Sequence, residues 1–252
     1  MAKIEFKGAQ GDILAAKLDV PSSEPRYYAL FAHCFTCTKA IKPANDIVKT
    51  LNKYGIAVFR FDFTGLGNSS GDFQNTNFSS NVQDLVCAAE YMKENLQSPA
   101  LMIGHSLGGT ATLIAASKVP ECKSVAVIGS PSNATNVIKQ FEADVEKIEQ
   151  EGEADVMLAG RPFKIKKQFL DDARQQNITN TLSSLKKALL ILHSPVDETV
   201  AIDHAAELYE SAKHPKSFIS LDKADHLLFK KGAAEYVARS IAAFGSYYNI
   251  KE

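Results

Sequence analysis

Gly104-His105-Ser106-Leu107-Gly108-Gly109 sets a serine between glycines at G-x-S-x-G spacing. By itself the pattern is short and arises by chance, but its context is specific. The apolar run Ala100 to Gly104 precedes it and reads as a strand, and Leu107 to about Val119 reads as a helix. A serine at such a strand-to-helix turn sits in a strained backbone with its hydroxyl exposed, and flanking glycines are needed because larger side chains would strike the adjoining chain. The N–H groups of the following helix point toward the serine, where an oxyanion would form. A serine hydroxyl is a weak nucleophile near neutral pH and needs a base within hydrogen-bond reach and an acid to orient that base. In this arrangement the acid and then the base follow the serine, each in a loop after a strand. Asp197 follows the apolar run Ala188 to Leu192, and His226 follows Phe218 to Leu221. Ser106, Asp197 and His226 are therefore the candidate nucleophile, acid and base. Glu198 and Asp225 remain alternatives for the acid. The candidate oxyanion donors, from position alone, are the backbone N–H groups of Leu107 and of Phe35, the latter in the loop after the third strand.

The other histidines read differently. His105 adjoins the serine, so its ring should turn away and pack. His33 ends a strand near the site and should shape a loop. His193 lies near a strand end, while His204 and His214 read as surface residues.

The elements that must carry these residues alternate. Lys3 to Gly8 and Asp12 to Val20 suggest a hairpin, and Tyr28 to Ala32 a buried strand. Ala44, Ile47, Val48 and Leu51 mark one helical face, with Gly55 where a C-terminal cap belongs. Ile56 to Phe63 reads as a strand; Val82, Leu85, Val86 and Ala89 repeat the helical spacing, with Ser80 and Gln83 as a capping box. Ser124 to Ile128 reads as a strand, Ile202 to Ala212 and Ala233 to Phe244 as helices. Apolar strands alternating with helices predict an α/β fold with a largely parallel sheet covered on both faces. One excursion interrupts the rhythm between Ser130 and Leu185, with Ala159-Gly160 as a turn. Its acidic residues, from Glu142 to Asp155, read as a solvated helix face.

Composition narrows the class. The 252 residues carry a formal net charge of −1, with 45% hydrophobic and 23% charged residues. That suits one soluble globular domain spanning residues 1–252 and disfavours nucleic acid and membrane as partners. No bilayer-length apolar run and no secretory leader are visible, so the expected location is the cytoplasm and the expected state of Cys34, Cys37, Cys87 and Cys122 is reduced. Two features point elsewhere. Gly65-Leu66-Gly67-Asn68-Ser69-Ser70-Gly71 approximates a dinucleotide fingerprint, but its third glycine falls one position late and no helix opens at once. Cys34-Phe35-Thr36-Cys37 is a C-x-x-C beside the candidate nucleophile, which leaves a thiol redox role as an alternative. No cofactor or metal is expected.

With these residues in place the sequence resembles a serine hydrolase of the α/β-hydrolase superfamily across essentially the whole chain. Four stretches, Ala32 to Cys37, Arg60 to Gly67, Asn75 to Asn81 and His214 to Phe218, resemble the hydrolase half of bacterial proteins in which such a hydrolase is joined to an OsmC-type peroxide-handling domain. The resemblance implies an eight-stranded sheet, a small cap at about residues 131–185, and esterase activity through Ser106, Asp197 and His226; the short cap and the crowding of the pocket by Cys34 and Phe35 favour small, short-acyl ester substrates. It also implies a functional link to an OsmC-type domain, whether the chain stands alone or was trimmed from a longer protein; a homo-oligomer is compatible with it. Cys34 departs from the superfamily, where the loop commonly reads His-Gly. A peptidase or thioesterase on the same triad, or a hydrolase fold with an idle triad, are the alternatives, since fold does not fix substrate.

Overall fold

The structure is a computed structural model and describes residues 4–249. The chain opens with the antiparallel hairpin of β1 (Ile4–Lys7) and β2 (Ile13–Asp19). Gly11, at φ +90°, makes the turn, and Gly8 N–H donates to the Asp12 carbonyl at 2.8 Å. Lys3, the predicted start of this hairpin, lies outside the described residues. Next come β3 (Tyr27–Ala32), α1 (Lys42–Lys53), β4 (Ile56–Phe61), α2 (Phe78–Asn95), β5 (Leu101–His105), α3 (Leu107–Ser117) and β6 (Ser124–Ile128). Gly55 closes α1 in a left-handed conformation, φ +77°, as its position predicted. The capping box of α2 is not Ser80 with Gln83. Asn77 caps the helix and Ser80 is its N3 partner, so α2 begins three residues earlier than the apolar spacing alone indicates.

After β6 the chain leaves the sheet through a 3-10 segment (Ala134–Asp144), α4 (Val145–Glu151), β7 (Glu153–Leu158), β8 (Arg161–Lys166), α5 (Lys167–Gln175) and α6 (Ile178–Ser184). β7 and β8 form a separate antiparallel pair whose turn residues, Ala159 and Gly160, both have positive φ. Such a two-residue turn matches the twist of a hairpin. The acidic residues of this segment are mostly exposed, and several are paired: Glu149 with Arg174 at 2.7 Å and Glu153 with Lys164 at 2.7 Å. The chain returns as β9 (Ala188–His193), α7 (Asp203–Ser211), β10 (Lys216–Ser220) and α8 (Ala233–Asn249).

Among the described residues eight strands form one sheet in the order β1-β2-β4-β3-β5-β6-β9-β10, parallel from β4 to β10. The parallel strands are apolar on both faces because helices cover both. Alternate residues, Leu30, Phe59, Met102 and Val127, pack toward α2 and α3; their neighbours Phe31, Val58, Ile103 and Ile128 pack toward α1 and α8. The fold therefore matches the expected largely parallel, eight-stranded α/β architecture. α3, which follows the candidate serine, is buried on nearly every side and lies at the middle of the molecule. No helix among the described residues is long and apolar enough to cross a membrane.

Candidate active site

Ser106 stands between the last residue of β5 and the first of α3. Its backbone is at φ 55°, ψ −132°, a conformation a non-glycine residue adopts only when its surroundings enforce it. The surroundings are visible. Ser106 N–H donates to the Ile128 carbonyl at 2.8 Å, and its own carbonyl accepts from Gly109 N–H at 2.8 Å. A Cβ on Gly104 would meet Thr112 Oγ1, one on Gly108 would collide with the His33 carbonyl oxygen, and one on Gly109 with Ser130 Oγ. The glycines thus let three backbone segments close on the serine. Gly108 in particular lets the loop after β3 lie against the start of α3.

Asp197 and His226 come to Ser106 from loops beyond β9 and β10. His226 Nε2 lies 3.0 Å from Ser106 Oγ, and His226 Nδ1 lies 2.7 Å from Asp197 Oδ2. The structure brings the three sequence-predicted side chains together in one chain of hydrogen bonds. Asp197 Oδ1 accepts from Thr199 N–H at 2.8 Å and Val200 N–H at 2.9 Å. Burial pushes the Asp197 carboxyl up, but the His226 hydrogen bond and charge and the Val200 and Thr199 amides outweigh it, so it lies below the usual carboxylate range. Asp225 does not compete: its oxygens accept from Phe229 N–H and Lys230 N–H and close the next turn. Glu198 is exposed.

Four residues that the sequence reading left outside the chemistry support this chain. His105 Nε2–H donates to the His226 carbonyl at 2.7 Å, so it holds the loop that carries the candidate base rather than only packing. Its burial, and the adjacent His226 charge, push its pKa down to about 3, which keeps it neutral and donating. His193, wholly buried, donates from Nε2 to the Val200 carbonyl at 2.8 Å and braces the Asp197 turn. Gly129, at φ +52°, leaves room for the Asp–His pair; a Cβ there would sit 3.3 Å from Asp197 Oδ2 and 3.4 Å from His226 Nδ1. Ser194 Oγ–H donates to the Ala224 carbonyl at 2.7 Å and ties the two loops. His204, expected at the surface, is instead half-buried: its Nδ1 lies 2.7 Å from Ser132 Oγ, because α7 packs against the strand end where the 131–185 segment departs.

The loop after β3 differs from expectation in one respect. Cys34 and Cys37 are joined as a disulfide, their Cα atoms 5.3 Å apart, rather than carrying two reduced thiols. The cause is local: Cys37 N–H donates to the Cys34 carbonyl at 3.1 Å, and this tight turn brings both sulfurs to one side. Cys87 and Cys122 are free, and burial pushes the Cys122 thiol up to about 12. His33 shapes the loop as expected, with Nδ1–H donating to the Cys34 carbonyl at 2.8 Å and Nε2 accepting from Phe63 N–H. Neither Phe35 N–H nor Leu107 N–H meets an acceptor among the described residues. Ser106, His226, Cys34, Phe35, Met157 and Arg161 are among the residues lining a cleft of about 560 Å³. Among the described residues no group of three or more histidine, cysteine or acidic side chains is placed to hold a metal ion. A serine, an imidazole and a carboxylate in this order can pass a proton from hydroxyl to ring while the carboxylate fixes the ring's tautomer.

Known proteins carry the same frame. A family described as serine aminopeptidase S33 matches residues 37–150, which include Ser106. The mitochondrial palmitoyl-protein thioesterase ABHD10 of Mus musculus is 26% identical over 185 residues, 70% of this chain and 61% of its own length. The match thus spans about three fifths of that curated relative. Est1E of Butyrivibrio proteoclasticus, solved with ferulic acid bound, shares the fold at 21% identity, with a TM-score of 0.80 over 98% of this chain and 100% of that one. The esterase domain of a Rhodothermus marinus protein is 41% identical, with a TM-score of 0.78 over 98% of both chains. On that likeness and on its own topology, this chain belongs to the α/β-hydrolase superfamily of hydrolytic enzymes.

Proposed function

We propose that the protein is a serine carboxylesterase acting through Ser106, His226 and Asp197. The observation that carries this reading is the hydrogen-bonded series Ser106 Oγ–His226 Nε2, 3.0 Å, and His226 Nδ1–Asp197 Oδ2, 2.7 Å. In the proposed reaction His226 Nε2 takes the Ser106 proton as Oγ attacks the ester carbonyl carbon. Asp197 holds the Nδ1–H tautomer and stabilises the imidazolium. The Leu107 and Phe35 N–H groups, which meet no acceptor among the described residues, would receive the oxyanion of the tetrahedral intermediate. Its collapse breaks the bond to the alcohol, which leaves with the proton from His226. Water then attacks the acyl-enzyme, His226 accepting its proton and returning one to Ser106 as the acid departs. No redox equivalent or metal enters this sequence.

Short acyl groups suit the site best, because the disulfide and Phe35, whose ring contacts Phe73 and Phe169, fill space beside the proposed oxyanion donors. The segment at 131–185 acts in this reading as a cap on a single hydrolase domain, since Met157, Leu158 and Arg161 of its hairpin line the cleft. A thioester is the second reading, favoured by the mouse relative's thioesterase name; it differs only in the leaving atom.

The test is hydrolysis of p-nitrophenyl esters from acetate to decanoate, with an S-acyl thioester of matched chain length, by the parent and by Ser106→Ala. The expected result is turnover highest on short chains and a fall in kcat of about 10⁴ or more in the variant. A fluorophosphonate should label the parent and not the variant. Undiminished turnover in Ser106→Ala would overturn the nucleophile assignment, and thioester turnover far above ester turnover would replace the first reading by the second.

A further inference from the structure

Among the described residues lining the cleft that holds Ser106, the one lysine, arginine or acidic side chain is Arg161. It is the first residue of β8, paired with Leu158 across the two-residue Ala159-Gly160 turn, so the hairpin fixes its backbone at the cleft. Its guanidinium lies 5.3 Å from the centre of the Phe163 ring, and Nη2–H donates to the Thr36 carbonyl. No carboxylate among the described residues pairs with it. Its neighbours are otherwise: on the same hairpin Lys164 pairs with Glu153 and Asp155, and on α5 Lys167 pairs with Asp171 and Arg174 with Glu149. The acidic residues of this segment therefore take up several of its cations, and Arg161 is not among them.

A guanidinium has five N–H donors in a planar fork, and Arg161 spends one of them on Thr36. Arg161 is itself exposed, and its remaining donors stand free at a cleft also lined by Ile41, Met157, Leu158 and Leu227. A carboxylate matches that fork with two parallel hydrogen bonds.

We propose that Arg161 is a specificity-determining residue that binds a carboxylate on the substrate, so that the favoured substrates are esters carrying a free carboxylate at one end. The proposal rests on the reading of Ser106 as the esterase nucleophile and names the substrate class of that same site. It assigns to the cap hairpin the task of reading the end of the ester remote from the scissile bond. The Thr36 contact has a second consequence: the same side chain touches the loop that carries Phe35, so an occupied guanidinium and a braced loop are parts of one arrangement.

Two substrate pairs test it, one for each side of the ester: mono-p-nitrophenyl adipate against p-nitrophenyl hexanoate, and 4-carboxyphenyl butyrate against its methyl ester. The parent should favour the charged member of at least one pair by roughly 10- to 100-fold in kcat/KM, the range of a charge-assisted hydrogen bond. Arg161→Gln should abolish that preference, its loss on the charged ester being at least tenfold larger than its loss on the neutral one. Arg161→Lys should restore part of it, since a point charge replaces the fork. Equal rates on both members of both pairs in the parent would overturn the proposal. So would an Arg161→Gln variant that slows charged and neutral esters alike, the signature of a brace on Thr36 and nothing more. Labelling of Ser106 by fluorophosphonate with no charge preference sinks this proposal alone; no labelling and no turnover on any ester sinks the esterase reading with it.

Discussion

Ser106 holds its unusual backbone because three glycines give way around it, and the closest approach to backbone among these is that of Gly108 to the His33 carbonyl. A methyl group there meets backbone, which cannot swing aside as a side chain can. Gly108→Ala should therefore push the loop after β3 away from α3 and separate the Phe35 and Leu107 amides. The expected cost is about 10²–10³ in kcat, that of one oxyanion donor, read with a short-chain ester; a loss under threefold would show that the loop does not position a donor. The acid can be tested in the same way. Asp197→Asn should lower kcat by about 10⁴, because the amide favours the wrong His226 tautomer, while Asp225→Asn should cost less than tenfold, since Asp225 only closes a turn. Comparable losses in both variants would reopen the choice of acid. The order serine, acid, histidine was legible in the sequence because each follows a recognisable apolar strand. The roles of His105, His193 and Gly129 were not. His105 acts on a carbonyl 121 residues away, and nothing local to position 105 marks that contact. The Cys34–Cys37 bond was hidden for another reason: C-x-x-C spacing permits a turn that joins the sulfurs but does not require it.

At the scale of elements the apolar runs found nearly every strand and helix, and errors fell at the ends. β4 stops at Phe61, two residues before the run Ile56 to Phe63 ends, and Asp62 and Phe63 continue beyond it as buried loop residues. Asp62 is almost wholly buried and accepts from Lys39 N–H at 2.7 Å, from Asn68 N–H at 3.0 Å and from the Lys39 ammonium. Arg60, buried two positions earlier, donates to Asp19, to Asn45 and to the Lys39 carbonyl. The two side chains pin the segment just beyond Cys37, so the end of one strand anchors the loop that carries Phe35. Sequence reading cannot find such an anchor, because a strand-end carboxylate looks the same whether it meets solvent or a buried ammonium. Asp62→Ala should leave the Lys39 charge and two amides without partners and cost about 3 kcal/mol of stability, measured by urea unfolding, with a fall in kcat as the loop loosens. A stability change below about 0.5 kcal/mol would mean the pair contributes no more than an exposed one.

At the scale of the whole molecule the parallel sheet gathers its loops, and with them three buried histidines, at one edge. His33, His105 and His193 all have their pKa pushed down, in each case chiefly by burial. A neutral imidazole that donates to one carbonyl and is shut from water binds no proton in the folded chain at a pH where the unfolded chain, near 6.5, does. Stability from these groups is therefore complete above about pH 7 and is lost as pH falls from 6.5 toward the folded values, about 3 for His105. Asp197, whose pKa is lowered, adds to the loss at the acidic end, and Asp84, whose pKa burial raises, opposes it there. Each histidine that is protonated only in the unfolded chain steepens the dependence by up to about 1.4 kcal/mol per pH unit. His105→Asn removes one such proton while leaving a donor near the His226 carbonyl. Its baseline stability can shift either way, so the informative quantity is the slope: urea unfolding between pH 6 and 4 should lose stability less steeply than the parent by about one proton's worth. Parallel slopes for the two proteins would mean that His105 takes up its proton in the folded state, and the support it gives to His226 would then have to come from a cation.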